Sequence, residues 1–120
     1  MSGTSQSQYP RRGDIYWVDF NPARGSEQAG RRPAVVISLD SFNRVMPVVV
    51  VAAVTTRIRE GSKIQVTLEA GDPLPQRSAI LGFQVTTIDQ ARLEQPGGRL
   101  RAEQIDELDE VISRCFGLRS

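Results

Sequence analysis

The sequence predicts a mainly β domain with some α: a small, mostly antiparallel sheet that curls into a partly open barrel, with one C-terminal helix packed against it. Three observations carry this. Short runs rich in β-branched and aromatic residues recur between turn signals. One such run is interrupted by Gly82, as the corner strands of small barrels are. Only the last segment repeats its apolar residues at helical spacing. At 120 residues the chain can bury one core and is too short for two.

Residues 1–10, rich in Ser, Gln and Gly, offer nothing to bury and read as a flexible tail; residues 11–120 read as a single domain. Arg12-Gly13-Asp14 is a turn, and Ile15–Phe20 is the first strand, ended by Asn21-Pro22. The connection from Asn21 to Arg32 is long for a structureless loop, which favours a functional one. Ala34–Leu39 is a continuous apolar run, expected to be a strand buried on both faces. Asp40–Arg44 reads as one helical turn and Pro47 restarts an extended chain. Four consecutive valines open the next strand, Val48–Val54. Thr55–Ser62 reads as an exposed basic loop, Ile64–Leu68 as a half-exposed strand and Ala70–Pro75 as a turn. Ser78–Leu81 and Phe83–Thr87 form strand on either side of Gly82. Ile88–Leu93 reads as a short helical turn, and Pro96-Gly97-Gly98 as a break in the chain. The final helix spans Ala102–Phe116, with Ile105, Leu108, Ile112 and Cys115 on one face, acids in its first turns and Gly117 at its C-cap. Arg101, where a serine is expected, leaves its start without a capping oxygen.

The net charge is +1, but residues 1–59 hold eight arginines against four acids, and residues 60–120 hold seven bases against ten acids. A basic half facing an acidic half is compatible with an anionic ligand at one end. There is no histidine and one cysteine, which excludes disulfide frameworks, the commoner zinc sites and any Cys–His or Ser–His pair. No apolar run reaches the roughly 18 residues of a membrane span and no signal segment precedes the first strand, so a cytoplasmic protein is expected.

The stretch Gly25-Ser26-Glu27-Gln28-Ala29-Gly30-Arg31-Arg32-Pro33 gathers most of the reactive groups. The proline holds Arg32 extended, leading straight into the second strand. If the second and third strands pair antiparallel, the start of one lies beside the end of the other, and Arg32 meets Thr55. A planar guanidinium and a hydroxyl suit a phosphate group. No pair of acids is spaced for a two-metal site, and neither metal nor cofactor is expected. A substrate carrying its own nucleophile, such as the 2′-hydroxyl of RNA, needs only alignment and charge stabilisation, and Glu27 is placed to accept a proton. The glycines fit no phosphate-loop spacing, Arg57 and Arg59 suit a solvated face, and Trp17 suits a core. On these residues alone the chain is a small β-rich domain with an anion-binding loop.

Arg12–Asp19, Gly25–Pro33, Val50–Thr55 and Ser78–Asp89 together resemble, in order and spacing, the MazF/PemK family of toxin endoribonucleases. The resemblance covers about residues 11–117. It implies an SH3-like barrel, homodimeric, that cleaves single-stranded RNA without metal at a short sequence, leaving a 2′,3′-cyclic phosphate and a 5′-hydroxyl. It implies catalytic roles for Arg32 and Thr55 and places Ser26, Glu27, Gln28, Arg31, Arg57, Ser78 and Gln84 at positions expected to touch RNA. It also implies a MazE-like antitoxin partner whose acidic, apolar tail covers the RNA groove. Where family members often carry arginine this chain has Thr86, so a backbone contact is expected either to be missing or to be supplied by Arg57 or Arg77. Two rival readings keep the same fold: a CcdB-like toxin that binds DNA gyrase, and a non-cleaving RNA-binding barrel.

Overall fold

The computed structural model describes residues 9–20 and 30–118. Six strands, β1 (Asp14–Asp19), β2 (Arg31–Val36), β3 (Val48–Thr55), β4 (Gln65–Leu68), β5 (Ser78–Asp89) and β6 (Leu93–Arg99), alternate with two helices, α1 (Asp40–Val45) and α2 (Ala102–Phe116). All pairings are antiparallel, in the order β4-β5-β3-β2-β1-β6. The two outer strands do not pair with each other, so the sheet bends without closing.

The valine-rich strands sit at the centre because both faces of the sheet are covered. Val35, Ala52, Val54, Val66 and Ile80 face α2 and pack with its Leu108 and Val111. Ala34, Val36, Val49, Val51 and Ile88 form a second cluster on the other side, flanked by Tyr16, Phe20 and Leu93. Ala34, Val35 and Val36 are all fully buried, as a continuous apolar run requires. Each of the two valines contributes about 1.5–3 kcal/mol on leaving water.

Gly82 marks a bend in β5. The pairing of β3 with β5 runs from Val48↔Asp89 to Ala52↔Val85, then jumps to Val54↔Ile80, so β5 carries extra residues opposite Ala53. Gly82 instead donates its N–H to the Ile64 carbonyl beside β4. A Cβ there would lie 2.4 Å from Val111 Cγ1, so only glycine lets α2 come this close.

Several local expectations are corrected. Pro96-Gly97-Gly98 does not break the chain: it lies within β6, which pairs with β1 through two register shifts. An outer strand tolerates these residues because one of its edges has no ladder to complete. β2 begins at Arg31 and ends at Val36, earlier than the apolar run implies. Ser38 ends it by accepting the Val50 N–H at 3.0 Å and donating to Asn43 of α1 at 2.5 Å. β5 continues through Asp89 before a single 3-10 turn, Gln90–Arg92. β4, expected to be half exposed, is buried at three of its four positions because α2 packs over it. Pro10, assigned to the tail, is buried, its carbonyl bound by Asn43 Nδ2 at 2.9 Å. The start of α2 is also closed after all. Arginine has no acceptor, but Gln104 Oε1 accepts the Arg101 N–H at 2.7 Å. The Arg101 guanidinium turns instead to Asp72, at 2.9 Å.

Candidate active site

The site lies where β2 and β3 part. Their pairing runs Val36↔Val51, Val35↔Ala52, Ala34↔Ala53 and stops. The next residue, Pro33, has no N–H to give the ladder, so the two chains separate there. Carrying the register two steps further sets Arg32 opposite Thr55, the last residue of β3. The gap opens into two adjoining cavities of about 530 Å³ and about 680 Å³, and both residues line each of them. Arg32 also lines a third hollow of about 370 Å³, with Phe20, Gln84 and Thr86.

Thr55 is half-buried and its hydroxyl oxygen accepts the Arg57 N–H at 3.1 Å. With that lone pair engaged, the hydroxyl hydrogen is left to donate outward. The 680 Å³ cavity is an arginine-lined channel: Arg31, Arg32, Arg57 and Arg59 border it, together with Gln84. Arg57 and Arg59 are exposed, and no ion pair with a described residue holds either. Arginines gathered along one groove, Arg57 and Arg59 among them, attract a polyanion.

The remaining expected contacts divide. Gln84 is exposed on the bent part of β5 and borders two of the hollows. Arg31 borders the cleft but is engaged: it donates to Glu94 of β6 at 2.6 Å and lies 5.8 Å over the Trp17 ring. Ser78 forms part of the wall, yet it is only 3% exposed and its hydroxyl donates to the Gln76 carbonyl at 2.7 Å. Arg77 is held by Glu60 at 2.8 Å and Glu69 at 3.0 Å, a pairing that raises its pKa and lowers that of Glu60. Thr86 borders the third hollow, with no described arginine beside it in that lining other than Arg32. Ser26, Glu27 and Gln28 lie outside the described residues, and among those described no group of three acids or cysteines is gathered to hold a metal ion.

Sequence reasoning missed the apolar part of the cleft's lining. Trp17, Leu74 and Pro75 line the 530 Å³ cavity, and Glu94 latches Arg31 from an edge strand that was not recognised. The alternation of β1 carried a signal for Trp17: its neighbour Val18 is buried in the second core, so Trp17 points the other way.

A bent, open antiparallel sheet with one packed C-terminal helix and a cationic cleft at a parted strand pair defines the class as a small, partly open β-barrel with an anion-binding cleft. Residues 11–116 match the family of PemK-like, MazF-like toxins of type II toxin–antitoxin systems, and the chain belongs to that family. Among solved structures it is similar to MazF from Deinococcus radiodurans, at 28% identity and a TM-score of 0.76 over 92% of this chain and 99% of that one. The MazE–MazF complex of the same organism matches at 26% identity and a TM-score of 0.76, covering 92% and 98%. An endoribonuclease from a mycobacterial species, solved with its cognate antitoxin, shares the fold with a TM-score of 0.78 at 22% identity, over 92% of this chain and 98% of that one.

Proposed function

We propose that this protein is a metal-independent, sequence-specific endoribonuclease, the toxin of a type II toxin–antitoxin pair, acting on single-stranded messenger RNA in the cytoplasm. The observation that carries this reading is that Arg32 and Thr55 line the same cleft, bordered also by Arg31, Arg57 and Arg59. The chemistry asked of the protein is small. The 2′-oxygen attacks the adjacent phosphorus and gives its proton to a carboxylate, for which Glu27 is the candidate. The bond to the 5′-oxygen breaks, and that oxygen takes a proton from water. The products are a 2′,3′-cyclic phosphate and a 5′-hydroxyl. Arg32, a guanidinium with five donors and no acceptor, is a poor proton carrier and a good stabiliser of the charge that gathers on the phosphorane oxygens. Thr55, its oxygen held by Arg57, donates to the same phosphate and fixes its orientation. Arg57 and Arg59 track the backbone, and Ser26, Gln28 and Gln84 are the candidates for reading bases.

Membership of a toxin–antitoxin family, and the likeness to a MazF solved with MazE, support a MazE-like antitoxin whose acidic segment covers the cleft. A homodimer is the working assembly, checked by sedimentation. The test of the function is incubation of purified protein with a long natural RNA in EDTA, followed by mapping of the cleaved ends. Cuts at one short sequence bearing cyclic phosphates are expected. Intact RNA at high protein concentration sinks the reading in favour of a gyrase-binding or non-cleaving barrel.

A further inference from the structure

The mechanism uses a cation, a hydroxyl and a proton acceptor, and leaves the apolar side of the cleft without a role. The 530 Å³ cavity shares Arg31, Arg32, Thr55 and Arg57 with the arginine channel, but it adds Trp17, Pro33, Val54, Leu74 and Pro75. A phosphate gains nothing from such a lining. A nucleobase, with two flat apolar faces, gains stacking and leaves water. Because Arg32 and Thr55 line this cavity as well as the channel, the nucleotides that adjoin the reacting phosphate are those within its reach.

One wall of this cavity is braced in a way that phosphate binding does not require. The Arg31 guanidinium lies over the Trp17 indole and is tied to Glu94 on β6, with Gln95 as a more distant acceptor at 3.4 Å. Its charge is already met by a carboxylate, which weakens it as a phosphate ligand and fixes it as a planar surface. Gly97, also on β6, packs beside the indole: a Cβ there would lie 3.6 Å from Trp17 Nε1, an ordinary contact, and 3.1 Å from Ile15 Cγ2, a tight one. The edge strand therefore ties Arg31 and lies against Trp17.

Resting on the ribonuclease reading, we propose that this cavity is a nucleobase subsite in which one base flanking the cleaved phosphate stacks against the Trp17–Arg31 wall, and that Glu94 is the positioning residue that holds the wall. The test uses short single-stranded RNAs containing the mapped cleavage sequence, each with an abasic nucleotide on one side of the cleaved bond. With wild-type protein, one of the two is expected to raise KM about five- to a hundredfold, the range for a base stacked on an aromatic side chain, with kcat less affected. Trp17→Leu is expected to show the raised KM on intact RNA and little further rise on the abasic one. Glu94→Ala raises KM by a smaller factor, which Glu94→Gln, keeping an acceptor for Arg31, partly restores. Trp17 is the only tryptophan, so its fluorescence gives a second reading that needs no variant. An uncleavable RNA carrying a 2′-O-methyl group at the attacking position is expected to quench it, and its abasic counterpart is not. Equal abasic losses in wild type and Trp17→Leu, or equal quenching by both uncleavable RNAs, overturn the subsite. A wild-type protein that leaves RNA intact overturns both readings; one that cleaves RNA without a Trp17-linked abasic loss overturns the subsite alone.

Discussion

At Thr55 the proposed role rests on one oxygen, and conservative variants separate its parts. Thr55→Ser keeps the hydroxyl and is expected to retain most of the cleavage rate. Thr55→Val keeps the shape, loses the donor, and is expected to lose about a hundred- to a thousandfold in kcat, the usual effect of removing one oriented donor to a developing oxyanion. Arg32→Ala is expected to lose at least as much, and Arg32→Lys to recover only part, because an ammonium keeps the charge and loses the planar fork. Single-turnover kinetics on a defined RNA, with circular dichroism to confirm folding, checks all four. That Arg32 and Thr55 come near each other was legible in the sequence because neighbouring strands joined by a short connection pair antiparallel, which brings the start of one beside the end of the other. Glu94 was not legible. Its relation to Arg31 depends on β6 lying beside β1, and nothing local to Glu94 announces that.

Among the elements, β5 shows how a single glycine sets geometry at a distance. Its bend at Gly82 lets α2 approach on one side and turns Phe83 and Gln84 toward the cleft on the other. Gly82→Ala forces a methyl group against Val111 and is expected to cost about 1–3 kcal/mol, read as a lower urea midpoint. If the bend aims Gln84, the same variant also raises KM for RNA. Helix α2 and the valine strands were legible because their signals are local, a period or a run of β-branched residues. β6 was misread because Pro96-Gly97-Gly98 carries a strong local signal for a break, and an outer strand is the one place where a sheet can ignore it.

For the molecule as a whole, stability rests on two cores sharing one sheet. Leu108→Ala, at a site 2% exposed beneath α2, is expected to destabilise by about 2–5 kcal/mol in urea denaturation. Acid weakens the fold by a separate route. The hydrogen bond from Arg101 holds Asp72 below the ordinary carboxylate range, and Arg77 does the same to Glu60. A carboxyl lowered on folding adds stability above its unfolded pKa, and that contribution is lost as pH falls through the lowered folded value. The urea midpoint is therefore expected to drop as pH is taken below about 4, and to drop less steeply in Asp72→Asn. Both groups are solvent-exposed, so the effect is small and fades in salt. The order of the sheet also bears on the moment of synthesis. β1 meets β2 soon after both leave the ribosome, but its other neighbour pairs Asp14 with Arg99 and is translated near the end of the chain. At about 5–20 residues per second, a nascent chain spends seconds with Trp17 on an uncovered edge and Arg31 without its carboxylate. A polypeptide ending at Arg92 is accordingly expected to show no RNA cleavage under conditions where the full chain cleaves.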